Sequence, residues 1–415
     1  MGVFSIYCAI CSGSLNRYEL GSSHPDALRY RRAYVARRVF WRNKGLGYYY
    51  DTDDEEKDES VKNERLRCMQ AADEHTEQAS EGGNSNEDDE EGHSSNDENV
   101  EDSYSFYEDQ EQYSYDPGLL CEEDFEWLPQ TGGLGIYNNH PKGPRYFLAT
   151  VDYDDYELAR VRNIDDGPDI PEDGGECFCY RPEMSDHPVC FPFHWSCFQL
   201  LSRAINAGPD YKDFDKKVLF DVMLSINYYN RLDLPYGDMH GADQDWACIP
   251  GEEYTVKDPL ADDAFQPSFL EHCTLDDRDD SAKGRSSQLR TRILSDPFDT
   301  LPAELTSMVL SYLSGPSLFA LVQASMVVRS QTQSQSFWQR KIREDMPWLW
   351  ELFSQDTQGI DFREAYVYFL KKTRPRYGLD DRDWLALANR RRIWGSCEVL
   401  AEMYKTQKKQ AERNM

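Results

Sequence analysis

The stretch PFDTLPAELTSMVLSYLSGPSLFALVQASMVVRS, residues 297–330, decides the fold of one part of the chain. Its apolar residues recur at three- and four-residue steps, which is the spacing of one helix face; they are Leu301, Leu305, Met308, Val309, Tyr312 and Leu313. Pro302 suits the first turn of this helix, where its missing N–H costs nothing. Gly315-Pro316 is predicted to end it. A second short helix is predicted from Leu318, and the spacing alone indicates a helical hairpin with a small core.

A set of residues in and just after this stretch follows a known order and spacing: Leu301-Pro302, Glu304-Leu305, Val309-Leu310, Tyr312-Leu313, Leu318, Leu321, Ala324-Ser325 and Phe337-Trp338. With them, residues 297–342 resemble the F-box, the module by which substrate receptors dock onto the Skp-type adaptor of cullin ubiquitin ligases. The sequence departs from the family at Met326-Val327-Val328, where a basic or polar residue usually follows the serine. The resemblance implies that the adaptor is contacted by Leu301, Pro302, Leu305, Leu310 and Leu313.

The function implied by this resemblance is that of a substrate-receptor subunit of an SCF-type ubiquitin ligase. Its partners would be the adaptor, through it a cullin, and a protein substrate that the sequence does not identify. Such a receptor is not an enzyme, and the chain shows no nucleophile elbow, P-loop, zincin or dinucleotide motif. The alternative is a structural or regulatory interaction protein, held together by zinc, that works outside a ligase.

Two short motifs far apart in the chain predict a zinc site. Cys8 and Cys11 form a C-x-x-C, and His194 and Cys197 form an H-x-x-C at the start of a predicted helix. Thiolates and imidazole suit zinc, and three-residue spacing places the second pair on one helix face. Closing the loop between the pairs costs about 5 kcal/mol, whereas structural zinc contributes about 10–16 kcal/mol. The four residues are therefore candidate ligands of one structural zinc ion.

A wider resemblance accompanies this pairing. Residues 1–20, 115–275 and 385–403 are similar to a group of fungal F-box proteins with an N-terminal C-x-x-C and a later H-x-x-C. Cys177, Cys179, Cys190 and His187 remain as reserve ligands, although one-residue spacing suits a tetrahedral ion poorly. Their simpler interpretation is free thiols.

Composition and charge exclude several classes of protein. The 415 residues carry 76 acidic and 45 basic side chains, for a formal charge of −31, which disfavours nucleic-acid binding by the whole surface. No apolar run is long enough to span a membrane, and the first ten residues lack a secretory signal. An intracellular chain, cytoplasmic or nuclear, is expected. Its eleven cysteines then indicate thiols or metal ligands rather than disulfides.

The acidic excess is concentrated in one segment. Residues 51–100 hold nineteen acidic and four basic residues and are rich in Ser, Asn and Gly, which predicts disorder. Residues 17–44 interleave arginines with aromatics, as nucleic-acid stacking surfaces do. The simpler interpretation is an amphipathic helix that offsets the acidic segment, and it applies also to Arg390-Arg391-Arg392.

The remaining patterns predict an α+β fold. Strands are expected within 147–161, and helices are expected at 198–205 and 214–223. The predicted divisions are an N-terminal C-x-x-C segment with a basic helix (1–50), a disordered acidic insertion (51–112), a central α+β domain (113–275), a linker (276–295), the F-box-like helical module (296–345) and C-terminal helices (346–415).

Overall fold

The structure is a computed structural model of the chain. It describes residues 5–15, 115–138, 143–153, 158–164, 175–182, 188–206, 208, 214–237, 239–242, 246, 248–274, 296–353 and 359–414. Three predictions lie outside these residues: the basic helix of 17–44, the disordered insertion of 51–112 and the linker of 276–295.

The chain divides into two compact units. The first unit combines 1–261 with 375–415, and the second is the continuous segment 262–374. The predicted mixture of helices and strands is confirmed. The unit boundaries differ from the predicted divisions, because residues 375–415 belong with the first unit and 262–274 with the second.

A closed five-stranded barrel forms the centre of the first unit. Its strands are β1 (Thr131–Tyr137), β2 (Arg145–Tyr153), β3 (Leu158–Ile164), β4 (Glu176–Cys179) and β5 (Val189–His194). The strands β1 to β4 pair antiparallel with one another in chain order. The strand β5 closes the barrel, since it pairs parallel with β4 and antiparallel with β1. The strands predicted within 147–161 are confirmed as β2 and β3.

Strand β1 depends on its glycines. A Cβ atom on Gly135 would lie 2.3 Å from the ring of Phe147 and 2.6 Å from the carbonyl oxygen of Val189. Only glycine therefore lets β1 approach both of its neighbours. Strand β5, which is one of the two neighbours of β1, is buried along its whole length.

In the part of the first unit that the structure describes, three helices accompany the barrel, and the first two contact its strands: α1 (Trp195–Asn206), α2 (Lys216–Ser225) and α8 (Arg382–Asn414). α1 continues directly from β5, and the helices predicted at 198–205 and 214–223 are confirmed as α1 and α2. α8 packs against both of them. The first unit also contains a short hairpin of β6 (Asn227–Tyr228) and β7 (Arg231–Leu232), and 3-10 turns at Glu122–Phe125 and Glu253–Thr255.

The second unit is helical. Its α-helices are α3 (Ala303–Ser311), α4 (Gly315–Ala324), α5 (Met326–Gln331), α6 (Gln335–Asp345) and α7 (Phe362–Lys372), with 3-10 turns at Pro267–Cys273, Pro297–Thr300 and Trp350–Phe353. The helix predicted after Pro302 is present as α3. The predicted stop at Gly315 lies slightly too late, since α3 ends at Ser311 and α4 begins at Gly315.

Trp338 organises the core of this second unit. Its ring is completely buried, stacks on Phe319 and lies 5.5 Å from the ring of Tyr366. Its indole N–H donates to the carbonyl of Thr332 at 2.7 Å. Gly315 packs so closely that a Cβ atom there would lie 2.6 Å from the Tyr366 hydroxyl. Three helices and the turn after α5 are thereby held around one indole.

None of the helices in the described residues has both the length and the apolar composition that a membrane-spanning segment needs.

Candidate metal centre

The C-x-x-C motif lies in a tight turn beside the barrel. The N–H of Cys8 donates to the carbonyl of Gly13, and the N–H of Ser12 donates to the carbonyl of Cys8, both at 2.8 Å. The N–H of Ala9 donates to the carbonyl of Pro192 in β5 at 2.8 Å. Backbone hydrogen bonds therefore place the two cysteines next to the end of β5.

The tight turn after the C-x-x-C motif does not take its left-handed residue from the glycine that follows the motif. Ser12, not Gly13, adopts the left-handed conformation, with φ of 57°. Gly13 is needed for space, because a Cβ atom there would lie 3.1 Å from the sulfur of Cys11 and 3.5 Å from the imidazole of His194.

Replacing Ser12 with glycine is expected to stabilise the first unit by about 0.5–1 kcal/mol. A non-glycine residue in the left-handed region carries strain of about 1 kcal/mol, partly offset by the greater freedom of glycine in the unfolded chain. The Ser12 hydroxyl is also buried without a hydrogen-bond partner among the described residues. Urea unfolding of Ser12→Gly against wild type measures the gain. Ser14→Gly, at a position without positive φ, should lose stability, and a loss in both variants would contradict the argument.

The second pair of candidate ligands lies where β5 becomes α1. His194 is the last residue of the strand, and Cys197 lies in the first turn of the helix. The expectation that both residues share one helix face was therefore wrong for His194. The strand-to-helix junction nevertheless brings the imidazole and the thiol together, since their nearest atoms are 3.7 Å apart.

The structure brings all four predicted ligands into one cluster. The sulfurs of Cys8, Cys11 and Cys197 and a ring nitrogen of His194 all lie within 4.8 Å of one another. Nδ1 of His194 is 3.4 Å from the Cys11 sulfur. Zinc bonds of about 2.3 Å to sulfur and 2.0 Å to nitrogen at a tetrahedral angle would place these atoms about 3.5 Å apart. The cluster therefore has the dimensions of a tetrahedral metal site, and it could hold a metal ion.

A backbone hydrogen bond selects the ring nitrogen that faces the sulfurs. Nε2 of His194 donates to the carbonyl of Ser14 at 2.7 Å, which leaves Nδ1 as the nitrogen that can bind a cation once its own proton is displaced. Outer contacts of this kind fix the tautomer and orientation of metal-binding histidines. The ring of Trp127 covers the imidazole at 4.5 Å, and its own N–H donates to the carbonyl of Val256.

Electrostatics within the cluster favour an ionised sulfur at Cys11, whereas burial and the hydrogen bonds with Cys11 and Cys8 raise the pKa of the Cys197 thiol well above its usual value. Backbone N–H groups donate to two of the sulfurs, from Gly13 to Cys11 at 3.2 Å and from His194 to Cys8 at 3.4 Å. Burial opposes ionisation of Cys11, but hydrogen bonds from the Cys197 and Cys8 thiols and the charge of His194 outweigh it and hold the pKa of Cys11 well below its usual value. Burial likewise opposes protonation of His194, yet the neighbouring Cys8 and Cys11 raise its pKa to about 10. A divalent cation would replace that proton and satisfy the same thiolates.

The chemistry of this arrangement is structural. All four ligands are completely buried. Four protein ligands fill a tetrahedral ion, whereas a catalytic zinc keeps one position open for water or substrate. The site would therefore join the N-terminal turn to the β5–α1 junction without activating a water molecule.

The reserve cysteines do not join the cluster. Cys177, Cys179 and Cys190 are buried in β4 and β5, where the sulfurs of Cys179 and Cys190 lie 3.9 Å apart. A hydrogen bond from Cys177 lowers the pKa of Cys190, but a hydrogen bond with the Cys179 thiol and burial outweigh it and hold that pKa well above its usual value. A hydrogen bond with Cys190, together with burial, likewise raises the pKa of Cys177. Cys177 and Cys190 are therefore expected to stay protonated. His187 lies outside the described residues.

Sequence reasoning missed the contribution of α8 to this site. The basic run at 390–392 was interpreted as part of an amphipathic helix that offsets the acidic segment, but Arg390 and Arg392 are buried. Arg390 donates to the carbonyl of Pro259, and Arg392 donates to the carbonyl of Cys11, each at 2.7 Å. The apolar residues that follow, including Ile393 and Trp394, were the signal that this part of the helix faces inward.

A second feature lies in the second unit, at the start of the F-box-like stretch. Five large apolar side chains are exposed there, and we call them the α3 face: Leu301, Leu305, Met308, Val309 and Tyr312. Of the predicted adaptor contacts, Leu301, Pro302 and Leu305 are exposed. Leu310 is buried and Leu313 is half-buried, so these two support the unit's own packing. Met308 and Tyr312, which the prediction omitted, lie one and two turns beyond Leu305.

Comparison with known proteins assigns the chain to no family, since no family model, curated protein or solved structure matches it.

Proposed function

We propose that this chain is a substrate-receptor subunit of an SCF-type ubiquitin ligase, which docks a Skp-type adaptor through the α3 face. The observation that carries the proposal is the concentration of exposed apolar residues. Among the described residues, five of the eleven exposed large apolar side chains fall within 301–312, and Tyr312 is 86% exposed. Isolated exposed apolar residues are ordinary, but a contiguous group indicates an interaction surface.

The size of the α3 face suits the docking of a protein partner. Fully burying one large apolar side chain contributes about 1.5–3 kcal/mol. Leu305 and Met308 are each about half exposed, and Tyr312 is almost fully exposed. Burying the five side chains together would supply much of the driving force for a standard interface. The resemblance of 297–342 to the F-box is the reason for naming the adaptor as the occupant.

The packing of the second unit supports the presentation of this face. Leu310 and Leu318 are buried, and Ser325 caps α5 by accepting from the N–H of Val328. The Ser325 hydroxyl also donates to the carboxylate of Asp296 at 2.7 Å. Helices fixed in this way would present the α3 face with little ordering cost on binding.

We propose further that the metal in the first unit is zinc. A ligand set of three thiolates and one imidazole in a closed, buried site is typical of structural zinc. The first unit would hold the target protein, and the chain itself would transfer no ubiquitin. Its mechanism would be proximity, since a bound target presents its lysines at high effective concentration to the conjugating enzyme.

Affinity purification tests the docking proposal directly. A tagged wild-type chain is expected to recover a Skp-type adaptor and a cullin from cells, as read by mass spectrometry. Changing Leu301 and Pro302 together to alanine should abolish that recovery. Both side chains are exposed, so the folded core should be unaffected. Undiminished adaptor recovery with the folded double variant would contradict the proposal.

The alternative function is a zinc-stabilised interaction protein outside any ligase. One observation favours it: the metal cluster and its outer contacts lie entirely in the first unit, without any residue of the F-box-like stretch. Recovery of neither adaptor nor cullin, from a folded chain that contains zinc, would select this alternative.

A further inference from the structure

Arg392 is a buried cation next to the proposed zinc site. Its side chain is on α8 and is only 5% exposed. One terminal nitrogen donates to the carbonyl of Cys11 at 2.7 Å and to the carbonyl of Tyr236 at 3.2 Å, and it also contacts the sulfur of Met239. The guanidinium therefore holds the backbone of a candidate ligand directly.

Asn389 fixes the direction of this guanidinium. Its side-chain oxygen accepts from Nε of Arg392 at 3.1 Å and from the other terminal nitrogen at 2.8 Å. Its amide nitrogen donates to the carbonyl of Lys257 at 2.7 Å. Asn389 is itself completely buried. The arginine is thus positioned by a residue one turn earlier on the same helix and has little freedom to turn elsewhere.

The positive charge of Arg392 has no ion-pair partner among the described residues. Its hydrogen-bond acceptors are two carbonyls, an amide oxygen and a thioether, all of them neutral. The buried carboxylate of Glu252 accepts from the N–H groups of His240 and Gly241. Burial raises the pKa of Glu252 against these hydrogen bonds and the charges of His240 and Arg392, so Glu252 interacts with the guanidinium but forms no close ion pair with it. Arginine remains protonated in proteins. A buried charge without a close ion pair is costly, so a further negative group is expected nearby.

The loaded metal site supplies that negative charge. A divalent ion with three thiolates and one neutral imidazole carries a net charge of −1, which one guanidinium balances. We propose that Arg392 is a positioning residue of the metal centre: it fixes the Cys11 turn through the carbonyl and neutralises the metal–thiolate group. This inference rests on the proposed zinc site, and it explains why α8 places an arginine in the interior of the first unit.

Zinc affinity distinguishes this role from simple packing. Arg392→Gln, which removes the charge, is expected to weaken zinc binding by about 10–100-fold, the usual effect of losing an outer-shell partner. Arg392→Lys keeps the charge and should lose less. Lys409→Gln removes an exposed charge from the same helix and should bind zinc like wild type. Competition with a chromogenic zinc chelator gives the dissociation constants of all four proteins.

Cobalt provides a second readout that packing alone would not change. With Co²⁺ in place of zinc, the thiolate-to-metal charge-transfer band should shift in Arg392→Gln and remain at the wild-type position in Lys409→Gln. Unchanged zinc affinity and an unchanged cobalt spectrum in Arg392→Gln would overturn the inference while leaving the zinc site intact. Absence of metal binding by the wild-type chain would instead overturn the zinc proposal itself, and this inference with it.

A comparison of loaded and stripped proteins separates charge balance from hydrogen bonding. If Arg392 balances the metal site, Arg392→Gln should destabilise the zinc-loaded protein more than the chelator-stripped protein, because removing the metal also removes the negative metal–thiolate group that the guanidinium balances. An equal loss of stability in the two states would show that Arg392 acts only as a hydrogen-bond clamp. If the stripped protein does not fold, the affinities and the cobalt spectra decide.

Discussion

Cys197→Ser is expected to leave the first unit unfolded at ambient temperature. Structural zinc contributes about 10–16 kcal/mol, whereas a folded domain is stable by only about 5–15 kcal/mol. Removing one of four buried ligands therefore forfeits enough free energy to abolish folding. The imidazole of His194 and the two remaining thiols would also be left buried without their common partner. Thermal unfolding followed by near-UV circular dichroism, with metal analysis of the purified protein, measures the effect.

Cys177→Ser is the matched control for this experiment. Cys177 is as completely buried as Cys197 but lies outside the metal cluster. The control should keep one zinc per chain and lose about 1–3 kcal/mol, the cost of burying an imperfectly paired hydroxyl. If Cys197→Ser retained its zinc and matched the stability of Cys177→Ser, the metal centre would not be what holds the first unit together.

Leu305→Glu is expected to weaken adaptor binding by at least about 100-fold without unfolding the second unit. Leu305 lies in the middle of the α3 face and is 48% exposed. A carboxylate is therefore tolerated in the free protein, but in an apolar interface it would be desolvated without a partner. Losing the leucine contact and burying a charge together cost several kcal/mol, and each 1.4 kcal/mol is tenfold in affinity. Titration calorimetry with a purified Skp-type adaptor gives the dissociation constants.

Val367→Glu provides the comparison. Val367 is similarly exposed and lies on α7 of the same unit, away from the α3 face in sequence. This variant should bind the adaptor like wild type. An equal loss of affinity in both variants would point to a general effect of charge. Unchanged affinity in Leu305→Glu would remove the α3 face as the docking surface.

The four candidate metal ligands could be chosen from the sequence because their chemistry is local. C-x-x-C and H-x-x-C each fix two ligands within a few residues, and few other arrangements satisfy zinc. The structure gathers those same residues. The geometry within each half was less predictable. Ser12 carries the positive φ beside Gly13, in a turn that the hydrogen bond from Ala9 to Pro192 fixes against β5. His194 ends a strand rather than beginning a helix because β5 pairs with β1, where His194 lies opposite Thr131. Both of these contacts link parts of the chain that are far apart in sequence.

Helices were also more predictable than strands. The apolar spacing of 297–330 located α3 because every contact that produces the pattern lies within a few turns. β1 has no comparable pattern, since TGGLGIY contains three glycines and only becomes a strand between two partners that close the barrel. The burial of Leu310 and Arg392 was hidden for a related reason. Parts of the chain that are distant in sequence decide whether an apolar residue is buried. They also decide whether a basic residue finds hydrogen-bond acceptors in the interior.

The division of the chain into units also sets an order of events during synthesis. Arg392 and the Cys11 carbonyl that it holds are 381 residues apart in sequence. At about 5–20 residues per second, a ribosome needs roughly 20–75 s to make the intervening chain. The second unit is continuous from 262 to 374, so it can fold before the first unit receives its last helix. Throughout that interval the thiols of Cys8 and Cys11 are part of a nascent chain in which the site is incomplete. Until α8 is synthesised, the proposed zinc site would therefore depend on reducing conditions that keep these thiols from oxidation.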